Sequence, residues 1–297
     1  GVSFDKREDG RLAYTREGAH SRPRVLHHAD DTGREITTTL LARALELPNL
    51  RLLEWHTMVD LLVSDKGGCE GVVCTTQEDD VLAVRATDTI LASGGVGGLY
   101  KRSTNFPCMT GDACRICRVH GIALEHMDYV QFHPTSLYTG STGRAFLISE
   151  SCRGEGAILL NAKGERFVDE LQPRDVVSAA VYRQMREDGL PFVRLSFERI
   201  PRGVTCRHFR NIRERCLEEG YDICEGPIPV TPAQHYLMGG IRVDQDSRSS
   251  MEHLYAVGET SCSGVHGRNR LASNSLLESL VFSRLAARDI VRRRHHA

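Results

Sequence analysis

No run of apolar residues in this chain approaches the roughly 20 that a membrane-spanning helix needs, so a helical membrane protein is not expected. Neither sign of charge dominates. Lys+Arg number 38 and Asp+Glu 39, leaving a formal net charge of −1, and the basic residues are scattered among acids. No electrostatic footprint for nucleic acid or a membrane surface results. Internal repeats and low-complexity tracts are missing, as are H-E-x-x-H and G-x-S-x-G, which leaves zinc-protease and serine-hydrolase readings without support. What remains is an ordinary soluble globular chain of one large or two medium domains, with a sizeable core and a small-molecule partner.

Ten cysteines, unevenly spaced from Cys69 to Cys262 with no secretory leader, are expected to be reduced thiols of a cytosolic protein rather than a disulfide framework. Cys114 and Cys117, with Cys108 nearby, form C-x-x-C inside a predicted helix over 111–121. No second pair or His lies at zinc spacing, so packing is the expected duty rather than metal or redox work, and no metal is predicted. The opening Gly1-Val2-Ser3-Phe4 carries neither an initiator Met nor a targeting pattern, as expected of a fragment.

Periodicity divides the chain. Residues 35–47 carry Leu40, Leu41, Ala44 and Leu45 at helical spacing and stop at Pro48-Asn49. Short β-type runs at 58–63, 70–76 and 81–86, separated by turn residues, predict an antiparallel meander, and a further strand at 89–92 runs into glycines. From 127 to about 237 the pattern changes to loops rich in Gly, Pro and charge, with helices at 174–187 and 208–218, which reads as an inserted domain. A strand at 254–257 and a long helix from about 275 to 291 follow, with Leu276, Leu277, Leu280 and Val281 as its apolar face. Residues 292–296 form a basic tail, read as a solvated helix end or linker rather than a binding site.

Several local patterns can carry chemistry, and each also has a plain structural use. Ser93-Gly94-Gly95-Val96-Gly97-Gly98 follows a strand and admits either a phosphate cradle or a tight turn; it is not a dinucleotide fingerprint, because Tyr100 stands where the last glycine would be. Glu259, just after the strand, can accept from the hydroxyls of a ribityl chain or serve as a cap. Asn274-Ser275-Leu276 opens the long helix, whose N–H groups could stabilise negative charge on a reduced flavin. His133-Pro134-Thr135, Ser149-Glu150, Arg153-Gly154-Glu155-Gly156, Pro173-Arg174-Asp175, His235-Tyr236 and Asn269-Arg270 crowd polar residues among apolar ones. Converging Arg and His side chains are what a dicarboxylate needs.

The run Arg16-Glu17-Gly18-Ala19-His20-Ser21-Arg22, followed by His27-His28-Ala29-Asp30-Asp31-Thr32-Gly33-Arg34-Glu35, resembles a signature of the L-aspartate oxidases. The likeness continues through Thr110-Gly111-Asp112, Gln131 to Thr135, Arg153 to Ala157, Pro173 to Val177 and His266 to Glu278. It covers essentially the whole chain, and several of these motifs are shared with succinate dehydrogenase and fumarate reductase flavoproteins. Leu271-Ala272-Ser273-Asn274 and the opening signature favour the oxidase branch.

The resemblance implies an α/β fold: a discontinuous FAD-binding domain with mixed sheet, β-meander and helices over 1–126 and 238–297, and an inserted α+β capping domain over 127–237. It implies oxidation of L-aspartate to iminoaspartate in NAD biosynthesis, with non-covalent FAD, oxygen or fumarate as acceptor, quinolinate synthase as a possible partner and a cytoplasmic location. By the same resemblance Arg174 would donate and accept the proton at the substrate carbon, a role open to Arg only where buried neighbours oppose its high pKa. His133, His235 and Arg270 would anchor carboxylates, Ser149 and Glu150 would line the pocket, and Glu17 would read the amino group. Thr57, Met58, Asp112, Glu259, Ser275 and Leu276 would meet the flavin. Two departures stand out: the first βαβ unit with its G-x-G-x-x-G and the helical domain after Val291 are missing, and residues 166–173 are shorter than in many relatives. The alternatives are a fumarate reductase or succinate dehydrogenase flavoprotein, and a truncated non-catalytic remnant that binds a dicarboxylate.

Overall fold

The computed structural model describes residues 1–296; Ala297, the last residue of the predicted 238–297 segment, lies outside the described residues. The chain forms two compact units, each assembled from separated stretches. Unit 1 comprises Gly1–Leu50, Lys101–Thr104 and Phe132–His235; unit 2 comprises Arg51–Tyr100, Asn105–Gln131 and Tyr236–Ala297.

Unit 1 is built around the strand Ile228–Leu237, buried along nearly its whole length. It pairs antiparallel with Val193–Ser196, which pairs antiparallel with Ile158–Leu160, and Arg102–Ser103 joins it in parallel. The strand Val130–Leu137 also pairs with it. Leu159, Leu195, Ile228 and Val230 form the core with Val177 and Val181 from the helix Arg174–Asp188. That helix matches its prediction because both ends are marked. Pro173 stands at the N-cap, and Gly189 takes the left-handed conformation at φ 65°, where its N–H closes the last turn.

The loop reading of 127–237 is corrected by these strands. Pro134, Pro229 and Pro232 looked like loop punctuation, but proline removes only the donor. The Pro229 carbonyl still accepts from the Tyr138 N–H at 3.0 Å. The helix expected at 208–218 is found as Arg210–Glu218, and a further one, Arg202–His208, precedes it, the two separated at the fully buried Phe209. The expectation of thiols throughout is corrected too. Cys206 and Cys224 are paired as a disulfide, their Cα atoms 6.6 Å apart, which is within bridging reach.

Unit 2 contains the predicted meander, Thr57–Val63, Cys69–Thr75 and Val81–Arg85, all antiparallel. Thr89–Leu91 pairs in parallel with Leu254–Ala256, so the strand before the glycine segment and the strand before Glu259 lie side by side. The helix Asp112–Val119 sends Cys114, Ile116 and Cys117 into a core with Leu61, Leu91 and Leu254. Burial pushes the Cys117 thiol up to about 12 and raises Cys114 as well, the state of packed rather than reactive cysteines.

Two helices turn apolar residues outward. In Asn274–His296 the expected core residues Leu277, Leu280 and Val281 are 59%, 42% and 51% exposed, while Glu278, Ala286 and Asp289 are buried. Periodicity identifies residues that share a stripe; here the hydrogen bond from Tyr255 to Asp289 at 2.9 Å decides which stripe faces inward. Thr32–Leu45 likewise buries no residue.

Candidate active site

In unit 1 the polar side chains converge on Glu150. Ser149 caps the short helix Glu150–Gly154, its hydroxyl accepting from the Ser151 N–H at 3.3 Å. Glu150 Oε2 receives Arg174 Nε at 2.5 Å, and Oε1 lies 3.0 Å from an Arg153 guanidinium nitrogen. His133 Nε2 stands 3.9 Å from Oε2, its Nδ1 held by the Thr135 backbone, and the His235 ring meets the His133 ring edge-on at 5.2 Å. His235 Nδ1 is fixed by the Thr104 hydroxyl at 2.7 Å.

All of these charged groups are nearly out of water: Glu150 is 3% exposed, Arg153 2%, Arg174 7% and His133 0%. Burial alone would raise the Glu150 carboxyl, but the Arg174 and Arg153 guanidiniums outweigh it and hold the group below the usual carboxylate range. Two guanidiniums and an imidazole therefore surround one buried carboxylate. An anion of small size suits such a place.

The loop that carries Glu17 is pressed onto the same group. A Cβ on Gly18 would collide with the Glu150 carboxyl, and one on Gly154 would collide with the Arg16 carbonyl. The Ala19 N–H donates to the Leu171 carbonyl at 3.0 Å, tying the loop to the approach of the Arg174 helix. Of the predicted substrate residues, Glu17, His133, Ser149, Glu150, Arg174 and His235 therefore gather in unit 1. Arg270 belongs to unit 2.

In unit 2 the glycine segment, Glu259 and the Asp112 helix share one locality. A Cβ on Gly95 would meet the Glu259 carboxyl, and one on Gly111, the helix N-cap at φ 73°, would meet Val96. Glu259 accepts the Leu237 N–H at 2.9 Å. Its carboxyl is pushed up to about 7, chiefly by burial and further by Glu278, while the Leu237 N–H and Arg270 pull the other way. Arg270 donates to Ser275 Oγ at 3.1 Å and lies 4.4 Å over the Tyr236 ring, so the start of the Asn274–His296 helix joins Leu276 to this set. Thr57 and Met58 sit in the meander, Met58 packed on the core and Thr57 exposed. The meander meets the Asp112 helix through His120 and Asp60 at 2.6 Å.

Close backbone approach at glycines, a half-buried carboxyl able to bond hydroxyls and a helix N-terminus with an adjacent guanidinium fit the polyol and ring end of a flavin. Sequence reasoning left two participants unassigned. Arg153, within the quoted Arg153-Gly154-Glu155-Gly156 motif, shares Glu150 with Arg174, and Glu278, the last residue of another quoted motif, anchors Tyr236. Arg153 meets Glu150 at i, i+3 spacing, which was an available signal, whereas the Glu150–Arg174 and Tyr236–Glu278 contacts cross 24 and 42 residues, beyond any local spacing rule.

Comparison with known proteins adds to this geometry. The profile of the FAD binding domain family matches residues 1–276. An L-aspartate oxidase of Clostridium acetobutylicum is 47% identical over 291 residues, covering 98% of this chain and 67% of its own length. One from Clostridium perfringens is 47% identical over 292 residues, covering 98% and 66%. Among solved structures, a quinol-fumarate reductase with menaquinol molecules superposes with a TM-score of 0.90 at 35% identity, over 97% of this chain and 54% of that one. E. coli quinol fumarate reductase gives 0.88 at 34%, over 96% and 52%. The chain thus spans about two thirds of the clostridial relatives and about half of the solved flavoprotein chains.

Proposed function

The chain belongs to the FAD-binding flavoprotein family that includes the L-aspartate oxidases, and on that premise we propose that it oxidises L-aspartate to iminoaspartate, with oxygen or fumarate taking the electrons, in NAD biosynthesis. The observation that carries this reading is the convergence of the buried Arg153, Arg174 and His133 on Glu150. A substrate with two carboxylates suits such cationic donors, and by their match to the family motifs His133, His235 and Arg270 would bond its oxygens. Glu17, brought by its loop to Glu150, provides an acid for the substrate ammonium, which separates aspartate from succinate.

Arg174 acts as the proton donor and acceptor at the substrate carbon. Its Nε–H already donates to Glu150, and Glu150 touches Arg153 in turn, so a proton can be resupplied along Arg153, Glu150 and Arg174. Non-covalent FAD, held by Thr57 and Met58 through their backbone and by Asp112, Glu259, Ser275 and Leu276, supplies the hydride acceptor when bound. Residues 1–126 and 238–297 serve the flavin, and 127–237 cap the substrate, with Ser149 and Glu150 lining its pocket. Quinolinate synthase is the proposed consumer of the product, in the cytoplasm.

The test is the visible spectrum of the purified chain incubated with FAD, before and after anaerobic L-aspartate or succinate. Bands that bleach with aspartate and not with succinate are expected. Bleaching with succinate alone would move the chain to the fumarate reductase and succinate dehydrogenase branch, whose solved members share this fold. A colourless chain that still binds fumarate in calorimetry would leave a non-catalytic dicarboxylate binder.

A further inference from the structure

A second buried carboxylate, outside the proton chemistry just described, organises the surroundings of Arg270. Glu278 is 5% exposed and lies in the first turns of the helix Asn274–His296. Its Oε2 accepts the Tyr236 hydroxyl at 2.7 Å and lies 2.8 Å from His266 Nε2, while Oε1 accepts the Ser263 hydroxyl at 2.5 Å. One carboxylate therefore joins the strand end at Tyr236, the loop at Ser263 and His266, and the helix. The His266 ring packs edge-on against Tyr236 at 5.6 Å and 83°.

The Tyr236 ring, so clamped, is a platform. The Arg270 guanidinium carbon sits 4.4 Å over its centroid, and Arg270 is itself only 4% exposed. A cation over an aromatic face is attracted most when both are desolvated, but the attraction is directional and needs a ring that does not turn. The backbone beneath is fixed separately: Gln131 Nε2 donates to the Arg270 carbonyl and to Asn269 Oδ1, each at 2.7 Å. Backbone and side chain of Arg270 thus have different supports.

We propose that Glu278 and Tyr236 are positioning residues for Arg270: the carboxylate fixes the phenol, and the phenol ring holds the guanidinium at the angle at which it receives a substrate carboxylate. The last clause rests on the reading of Arg270 as a carboxylate anchor; the first does not.

Two measurements on the full chain separate them. Relaxation of the Arg270 Nε–H signal by NMR reports the support directly, without flavin or turnover. Tyr236→Phe keeps the ring and drops the hydroxyl; it is expected to raise the mobility of Arg270, as is Glu278→Ala, while Glu278→Gln, which retains an acceptor oxygen, restores most of the rigidity. Calorimetry with fumarate is then expected to show binding about tenfold weaker, or about 1.4 kcal/mol, in Tyr236→Phe. The double variant Tyr236→Phe with Glu278→Ala should be no weaker than Glu278→Ala alone, because the two act as one unit. An Arg270 signal as rigid in Tyr236→Phe and Glu278→Ala as in the parent overturns the proposal. If the mobility changes appear but Arg270→Lys binds fumarate as the parent does, the support stands and the anchor reading fails.

Discussion

Arg174 combines a fixed hydrogen bond to Glu150 with a place at the first position of its helix, where Pro173 leads in. Lysine could keep the charge but not the planar fork that bonds Glu150 and still presents N–H groups elsewhere. Arg174→Lys is therefore expected to lower turnover by about 10²- to 10⁴-fold, the usual worth of a placed proton donor, while fumarate affinity stays within about tenfold. Steady-state kinetics and calorimetry would show the split. Glu259 gives a second, pH-dependent outcome. Its folded value, about 7, is above its ordinary 4.5, so its contribution to stability is complete below about 4.5, declines as pH rises, and is gone above about 7. The whole contribution is about 3 kcal/mol. Urea midpoints across this range should fall with rising pH in the parent and fall less in Glu259→Gln.

At the scale of elements, the meander depends on one backbone position. Gly71 sits at φ 132°, and a Cβ there would strike the Val84 carbonyl of the neighbouring strand. Gly71→Ala should cost about 1–3 kcal/mol from backbone strain alone, with the clash added, as read by urea denaturation. This meander, the Arg174–Asp188 helix and the strand before Glu259 were legible because alternation, turn residues and caps all agreed. The strands Val130–Leu137 and Ile228–Leu237 were not, since their prolines mimic loops and their burial on both faces erases alternation. The candidate site was legible in part. His133, Arg174 and His235 could be named from motifs, but that Glu150 is also the shared counter-ion of Arg153 and Arg174 is a fact of packing. Periodicity could not tell which stripe of Asn274–His296 turns inward.

At the scale of the whole molecule, the outward apolar stripes of Thr32–Leu45 and Asn274–His296 set how the chain behaves in solution. Contiguous apolar surface binds hydrophobic dyes and promotes association. The folded chain is expected to enhance ANS fluorescence, and Leu41→Lys with Leu45→Lys to reduce it while unfolding free energy changes by no more than about 0.5 kcal/mol each. The buried group of Glu150, Arg153 and Arg174 has the opposite consequence, for how the protein can vary. Removing Glu150 strands two buried guanidiniums and costs about 3–5 kcal/mol, whereas apolar replacement of all three together can be neutral. In a mutational library selected for folding alone, single apolar changes at Glu150 should vanish while some triple apolar variants survive. Such a triad can drift only by leaving as a whole, so selection for catalysis and selection for folding would keep it for different reasons.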